Sequence, residues 1–265
     1  MFEGKTVVIK YGGAAMLDAA GENSVIEDVA WLSESGAKVI LVHGGGPELS
    51  SLQKKLGLEP RFIDGLRYTD EETMGAAIMA LCGKVNKNLV RLLENLGKKA
   101  VGISGIDGGI LRCVRHDEPD LGYVGKVQNV DTELIDVLLT GGYIPVVSTV
   151  GLGDDGLAYN INADFAAGKI AASLCADFFV TMSDVPGVLR RVNDPGSLIG
   201  EIHVDEVGEL IESGGISGGM MPKVLGIKDA IRDGARSAVI IDGRMPHSLR
   251  EWAVGTETGT RIIDG

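Results

Sequence analysis

Two glycine-rich segments, one of them beside a lysine, are the residues of this sequence whose types and spacing best suit chemistry. Lys10 ends an apolar run and is followed by Gly12 and Gly13, and a second apolar run ends in the His-Gly-Gly-Gly-Pro of residues 43–47. Bare backbone costs chain entropy, so it persists where the chain turns sharply or another group approaches the peptide units. Exposed N–H groups near helix N-termini suit phosphate oxygens. We expect an anion site, with a tight turn as the alternative because neither segment matches a phosphate-loop or dinucleotide pattern.

A second lysine and an aspartate extend this candidate site. Lys223 falls in the first turn of a predicted helix, where a cation opposes the helix dipole by about 0.3 to 1 kcal/mol unless an anion is bound there. Asp164 either caps the helix that it begins or holds both lysines in place, and the two roles are compatible. For Lys10 the alternative is an ordinary solvated lysine at a strand end. The pattern favours neutralisation of charge on a phosphoryl group.

Alternating strands and helices have to position these residues. Short β-branched runs predict strands at residues 6–9, 38–42, 100–103, 144–147, 178–182 and 238–241. Helical periods predict helices at residues 24–35, 47–56, 71–96, 132–140, 164–174 and 222–233, and turn residues predict hairpins at 61–69 and 150–161. This alternation predicts a mainly parallel sheet covered by helices on both faces, with ligands at the carboxyl ends of its strands.

The composition restricts the class of protein. The chain has 265 residues, 45% of them hydrophobic, and a formal net charge of -12. The apolar fraction excludes a disordered chain, and the negative charge argues against nucleic acid or an anionic membrane as partner. No apolar run is long enough to span a bilayer and no signal sequence precedes the first strand, so we expect a soluble, cytoplasmic protein. The cysteines Cys82, Cys113 and Cys175 fit reduced core residues.

Seven segments occur in an order that is specific to one family. They are VIKYGG at residues 8–13, HGGGP at 43–47, GLRYT at 65–69, GKVNK at 83–87, NINAD at 160–164, SDVPG at 183–187 and GGMMPK at 218–223. Through them the chain resembles the amino acid kinase family. The resemblance implies an α/β fold, a three-layer αβα sandwich with an open, mainly parallel central sheet. It also implies an N-terminal lobe at residues 1–175 for the acceptor amino acid and dimerisation, and a C-terminal lobe at residues 176–265 for ATP.

The same resemblance implies a role for each candidate residue. The catalytic residues, which neutralise charge on the moving phosphoryl group, are Lys10, Lys223 and Asp164, and the aspartate orients both lysines. The residues that bind the acceptor substrate are Gly44, Gly45, Arg67 and Asn160, with Arg67 on its α-carboxylate. The residues that bind phosphate and nucleotide are Gly12, Gly13, Ser183 and Asp184. We expect N–H donors from Gly12, Gly44 and Gly45. For Ser183 and Asp184 the alternative is a turn before the Pro-Gly that follows.

The implied reaction transfers the γ-phosphoryl group of ATP to the side-chain carboxylate of N-acetyl-L-glutamate, giving an acyl phosphate and ADP in arginine biosynthesis. We expect Mg²⁺ to accompany ATP, held mainly by phosphates and water, and no metal ligand from the protein. One alternative is a sister kinase acting on aminoadipate or glutamate attached to an acidic carrier protein, which the negative charge disfavours. Another is a non-catalytic amino-acid sensor, which would lack one of Lys10, Asp164 and Lys223.

Assembly and regulation are expected from the same resemblance. The predicted helix at residues 71–96 carries more apolar side chains than one sheet face needs, and the family pairs subunits through this region. We expect a two-fold homodimer, with a deeply buried core helix as the alternative. Family members that arginine inhibits carry an additional helix ahead of the first strand. Only residues 1–5 precede that strand here, so we expect an enzyme that arginine does not inhibit.

Overall fold

The structure is a computed structural model that describes residues 2–12, 16, 19–191, 194–212, 215–216 and 218–264. The strands are β1 (Thr6–Tyr11), β2 (Lys38–His43), β3 (Arg61–Ile63), β4 (Leu66–Tyr68), β5 (Ala100–Ser104), β6 (Leu111–Arg115), β7 (Val124–Val130), β8 (Ile144–Ser148), β9 (Val150–Gly153), β10 (Ala158–Ile161), β11 (Phe178–Ser183), β12 (Glu201–His203), β13 (Ser237–Asp242) and β14 (Thr260–Ile263). The α-helices are α1 (Ala19–Glu34), α2 (Gly46–Lys55), α3 (Glu71–Ala77), α4 (Asn86–Asn95), α5 (Glu133–Thr140), α6 (Ala163–Ser173), α7 (Val207–Glu212), α8 (Met220–Arg232) and α9 (Ser248–Ala253).

An eight-stranded sheet in the order β12-β14-β13-β11-β1-β2-β8-β5 forms the centre of the molecule. Its neighbouring strands are parallel except for β13 and β14. All six predicted strands are present, and each extends one or two residues beyond its predicted carboxyl end. The predicted α/β fold with a mainly parallel central sheet is confirmed.

Helices cover both faces of this sheet. On β1, Val8 packs with residues of α6 and α8, whereas Val7 and Ile9 pack with residues of α1 and α4. Side chains alternate between the faces of a strand, so a strand covered on both sides has to be apolar throughout. This is why β1 and β2 read as almost unbroken hydrophobic runs. The result is the three-layer arrangement expected from the sequence.

Four further strands form a closed barrel in the order β10-β7-β6-β9. The predicted hairpin of β9 and β10 is present and antiparallel. The predicted hairpin of β3 and β4 is also present, and its turn places Asp64 at φ 50° and Gly65 at φ 81°, the positive angles that tight two-residue turns require. The sequence patterns do not predict β6 and β7, because charged residues, amides and Gly125 interrupt their apolar residues.

The helix predicted for residues 71–96 is present, and its middle part is π-helical. It runs without a break through α3, a π-helical segment (Ile78–Val85) and α4. The apolar positions alone do not distinguish an α-helical from a π-helical turn, so the sequence did not indicate the π-helical segment. Leu81 and Val85 of this segment are buried, while Ile78 and Met79 are 39% and 55% exposed. Most of the apolar stripe lies in the core of the single chain, and π-helical turns are frequent at functional sites.

The sheet continues across the predicted lobe boundary at residues 175 and 176. Strand β1 pairs with β2 on one side and with β11 on the other, so strands from both predicted lobes belong to one hydrogen-bonded sheet. The lobe division stays a prediction. In the part of the chain that the structure describes, no helix is long and apolar enough to cross a membrane.

The three cysteines are free thiols, as expected, but they are not all core residues. Cys113 is buried, Cys82 is half-buried and Cys175 is exposed. The expectation of a core position is wrong for Cys175, which follows the end of α6 with a positive φ of 46°. An apolar neighbourhood in sequence does not place a residue in the core when it lies in the turn that ends a helix.

Candidate active site

Two cavities lie at the carboxyl ends of the sheet strands, and one lysine lines both. The first, which we call the glycine cavity, has a volume of about 360 Å³. Its lining includes Lys10, Gly12, Gly44, Gly45, Arg67, Asn160, Asp164 and Lys223. The second, which we call the Ser183 cavity, has a volume of about 370 Å³, and its lining includes Ser183, Asp184, Met220 and Lys223. The fold therefore brings the predicted site residues that it describes to one edge of the sheet.

Lys10 and Asp164 form a buried ion pair in the glycine cavity. The Nζ atom of Lys10 lies 2.9 Å from Oδ1 of Asp164, and their side chains are 6% and 12% exposed. The contact lacks hydrogen-bond geometry, and Oδ1 accepts no hydrogen bond from the described residues. Buried charges are retained when they are paired. The pair rules out the alternative of a solvated lysine at a strand end.

Asn162, not Asp164, caps helix α6. The side chain of Asn162 accepts hydrogen bonds from the backbone N–H groups of Asp164 at 2.9 Å and Phe165 at 3.4 Å. The capping role considered for Asp164 is therefore wrong, because the helix begins one residue earlier than expected. Its carboxylate is left to pair with Lys10.

Among the described residues, the glycine-rich loops carry backbone N–H groups without an acceptor. The N–H of Gly44 donates to the carbonyl oxygen of Tyr11 at 3.1 Å and extends the ladder between β1 and β2, so this group does not fit the donor role expected of it. Within the described residues, the N–H groups of Gly12 and Gly45 have no acceptor. A Cβ atom at Gly45 would lie 2.7 Å from Leu81, so only glycine fits at that position without a shift. Gly13 lies outside the described residues.

Arg67 presents an unpaired positive charge to the glycine cavity. Its guanidinium donates to Oε1 of Gln53 at 2.5 Å, to Oγ of Ser50 at 2.8 Å and to the carbonyl oxygen of Gly46 at 3.1 Å. It also lies 4.7 Å from the ring centre of Phe62. Burial lowers the pKa of Arg67, yet among the described residues no carboxylate forms an ion pair with it. Neutral groups thus hold the guanidinium in place and leave its charge for an anionic ligand.

Asn160 also lines the glycine cavity. Strand β10 carries it, and its Nδ2 group donates to Oγ1 of Thr69, the residue after β4, at 3.2 Å. The barrel and the β3–β4 hairpin therefore meet at this side chain.

Lys223 and Asp164 come from helices that touch backbone to backbone. A Cβ atom at Gly168 of α6 would lie 2.7 Å from the carbonyl oxygen of Gly226 of α8, and one at Gly226 would lie 3.2 Å from that of Asp164. The first turn of α6 and the first turn of α8 are thereby held close together. The ammonium group of Lys223 donates to the carbonyl oxygen of Gly219 at 3.0 Å rather than to Asp164. Among the described residues, Asp164 pairs with Lys10 alone. The role of Asp164 in orienting Lys223 therefore stays a prediction.

Ser183 and Asp184 line the Ser183 cavity at the end of β11. The Oγ atom of Ser183 lies 3.3 Å from Oδ1 of Asp184, and the Ser183 residue is buried. Their roles in nucleotide binding stay predictions. Among the described residues, no group of three or more His, Cys, Asp or Glu side chains could hold a metal ion.

His43 and Asn86 were not predicted as site residues. His43 is fully buried, with Nδ1 2.8 Å from the carbonyl oxygen of Gly44 and Nε2 3.0 Å from Nδ2 of Asn86. The pKa of His43 is lowered to about 4, mainly by burial and in smaller part by the nearby Lys87, while the hydrogen bond to Gly44 acts to raise it. A histidine at the end of an otherwise apolar strand is the signal that could have identified it.

The fold and the site together define an α/β enzyme of phosphoryl transfer, with two lysines and free backbone N–H groups between two cavities. The chain belongs to the amino acid kinase family, whose sequence model matches residues 5–242.

Three known proteins illustrate the similarity. Acetylglutamate kinase of Caldanaerobacter subterraneus is 47% identical over 269 residues, which cover 99% of this chain and 90% of that protein. Acetylglutamate kinase of Brachyspira hyodysenteriae is 49% identical over 249 residues, covering 94% and 86%. The solved structure of N-acetylglutamate synthase from Neisseria gonorrhoeae, complexed with coenzyme A and N-acetyl-glutamate, matches with a TM-score of 0.85 at 25% identity, covering all of this chain and 60% of that one.

Proposed function

We propose that the protein transfers the γ-phosphoryl group of ATP to the side-chain carboxylate of N-acetyl-L-glutamate, giving an acyl phosphate and ADP in arginine biosynthesis. The observation that carries the proposal is the glycine cavity, which Arg67, without a carboxylate partner among the described residues, lines together with Lys10, Gly12 and Gly45. The acceptor has two carboxylates. One cation has to bind the α-carboxylate, which does not react, and other donors have to act on the side-chain carboxylate, which does. The curated relatives named above carry the same activity in their names.

Arg67 holds the acceptor. Its guanidinium donates to the α-carboxylate through the N–H groups that its three neutral partners leave free and, because those partners already fix it, loses little conformational entropy on binding. Asn160 donates to the acceptor beside it. Anchoring at this end directs the side-chain carboxylate toward Lys10.

The lysines and the free N–H groups act on the phosphoryl group. Two anions repel each other during transfer, and charge spreads over the phosphoryl oxygens in the transition state. Lys10, whose ammonium group Asp164 holds in place, neutralises this charge from the glycine cavity. Lys223 neutralises it from the lining of the Ser183 cavity. The N–H groups of Gly12 and Gly45 donate to the same oxygens. These donors act most strongly where water is excluded.

In this proposal ATP binds in the Ser183 cavity, which shares Lys223 with the glycine cavity. The lobe of residues 1–175 holds the acceptor and the lobe of residues 176–265 holds the nucleotide. Mg²⁺ would accompany ATP, held mainly by phosphates and water, and would supply positive charge that neutralises the phosphates. We also propose a cytoplasmic location, where ATP is present.

An assay of ADP release with N-acetylglutamate, glutamate and aminoadipate as competing acceptors tests the proposed function. We expect N-acetylglutamate to give the highest kcat/KM. Preference for aminoadipate presented on a carrier protein would identify the sister kinase instead. Absence of ADP release with every acceptor would favour a binding protein on the same fold, a role that Lys10, Asp164 and Lys223 together disfavour.

Removal of the Arg67 guanidinium is expected to weaken acceptor binding selectively. Arg67→Ala removes charge-assisted hydrogen bonds, each of which contributes about 1.5 to 3 kcal/mol, so we expect the KM for the acceptor to rise by about 10- to 100-fold. The kcat should change much less because Arg67 does not touch the reacting group. Steady-state kinetics at saturating ATP measure both constants.

Arg61→Ala is the matched control for this experiment. Arg61 lies on β3 of the same hairpin and stacks on Tyr68, 4.4 Å from its ring centre. We expect its removal to leave the KM within about twofold, as for most surface substitutions. An unchanged KM in Arg67→Ala would remove Arg67 from the acceptor site.

We propose that two chains form a homodimer through the region from α3 to α4. Ile78, Met79 and Leu96 remain 39%, 55% and 43% exposed there, although the rest of the stripe is buried within the chain. Light scattering at micromolar concentration is expected to give twice the mass of the chain, and Met79→Lys is expected to lower that mass. A monomeric mass for the wild type would contradict the proposal.

A further inference from the structure

The peptide between Gly44 and Gly45 is held from its carbonyl side. The ring of His43 is fully buried, and its Nδ1 atom lies 2.8 Å from the carbonyl oxygen of Gly44. Because that oxygen can only accept, Nδ1 must carry the proton. The hydrogen bond therefore fixes the direction of this carbonyl group.

Asn86 fixes the tautomer of this ring. Its Nδ2 group lies 3.0 Å from Nε2 of His43, 2.9 Å from the carbonyl oxygen of Val146 and 3.2 Å from that of Ile103, so its two N–H groups are shared among three acceptors. Its Oδ1 atom accepts from Lys87 at 3.0 Å. These partners leave only one orientation of the amide, with Nδ2 facing the histidine as a donor. A second proton on the ring would point at that donor, so the neutral ring with Nδ1–H is the form that fits.

A trans peptide places its carbonyl and its N–H on opposite sides. The carbonyl of Gly44 and the N–H of Gly45 belong to the same peptide, so an anchored carbonyl turns the N–H away from the His43 ring. The described residues offer that N–H no acceptor, and Gly45 lines the glycine cavity. Leu81 and Val85 of the π-helical segment pack against Gly45, and Asn86 follows that segment directly.

We propose that His43 is a positioning residue for phosphoryl transfer, whose Nδ1–H holds the Gly44 carbonyl so that the N–H of Gly45 faces the phosphoryl oxygens, while Asn86 fixes its ring. This inference rests on the proposed function, because it assigns the N–H of Gly45 to that reaction. Without the anchor, the flexible Gly44–Gly45 peptide can rotate and present its carbonyl oxygen to the anion. A carbonyl oxygen in that position repels the group that the N–H would bind.

A pair of variants separates anchoring from packing. His43→Leu fills the space without a donor, whereas His43→Asn places an amide Nδ2 group close to the position of the ring Nδ1. We expect His43→Leu to lower kcat by about 10²-fold or more, the loss seen when one preorganised donor is removed, with the acceptor KM within about twofold. His43→Asn should recover most of that loss. Equal activity in His43→Leu and the wild type, or no difference between the two variants, would overturn the proposal.

A measurement on the wild type does not depend on the folding of any variant. The ¹⁵N shifts of the His43 ring at neutral pH are expected to report a neutral imidazole with the proton on Nδ1. A proton on Nε2, or a charged ring, would overturn the proposal. If the wild type releases no ADP, the proposed function is contradicted. The ring tautomer and the contact with Gly44 are measured independently of activity, so they test the role of His43 separately.

Discussion

Replacement of Lys10 by methionine is expected to lower kcat by about 10³-fold, with a much smaller change in the acceptor KM. Methionine retains most of the apolar stem of lysine but not the ammonium group that faces the moving phosphoryl group. The lysine is buried and paired with Asp164, so its position is fixed before substrate binds and the loss falls mainly on the transition state. Initial rates of ADP release over a range of acceptor concentrations measure both constants.

Stability has to be separated from catalysis in this variant. Lys10→Met leaves a buried carboxylate unpaired, which typically costs about 3 to 5 kcal/mol of unfolding free energy. Adding Asp164→Asn removes that charge, so the double variant is expected to regain stability without regaining activity. Lys5→Met is the control, because Lys5 directly precedes β1 at its other end and pairs with Asp177. Turnover near that of the wild type in Lys10→Met would remove Lys10 from catalysis.

Replacement of Lys223 by methionine is expected to have the second-largest effect, a fall in kcat of about 10²- to 10³-fold. Its ammonium lines both cavities and contacts only the carbonyl oxygen of Gly219 among the described residues, so its charge is left for a phosphoryl group that lies between the cavities. The KM for ATP should rise less than kcat falls. Single-turnover measurements of phosphoryl transfer with saturating substrates test this directly.

Lys228→Met is the matched control for Lys223. Lys228 belongs to the same helix α8 but lines neither cavity. Its replacement should leave kcat within about twofold, as expected for a substitution outside the site. Loss of ATP affinity with an unchanged single-turnover rate in Lys223→Met would assign that residue to nucleotide binding rather than to transfer.

Local patterns predicted the central sheet well because its strands are buried on both faces. Val7, Val8 and Ile9 form an unbroken apolar run whichever face they point to, so the run marks the strand without knowledge of its neighbours. The barrel strands β6 and β7 lack such runs. They pair with each other, but their other partners, β9 and β10, lie far along the chain, as in the contact between Arg112 and Leu152, so only the folded chain specifies the barrel.

The candidate site divides in the same way. Lys10 and Gly45 could be predicted because strand ends and glycine-rich turns mark the edge of a parallel sheet, whereas Arg67 was predicted only through the family resemblance. The sequence could not show whether Asn162 or Asp164 caps α6, because both residue types cap helices. The residue at which the helix begins decides which of them is the cap. The contact of His43 with Asn86 joins residues 43 positions apart, and no local pattern reports it.

The wall between the two cavities has a thermodynamic consequence. Lys223 lines both, so an anion in either cavity attracts the same ammonium group, and in the proposed function the two substrates share this counterion. Linkage then requires each substrate to change the affinity of the other by an equal factor, whichever binds first. On this proposal, one side chain at the start of α8 contributes to the coupling free energy between acceptor and nucleotide.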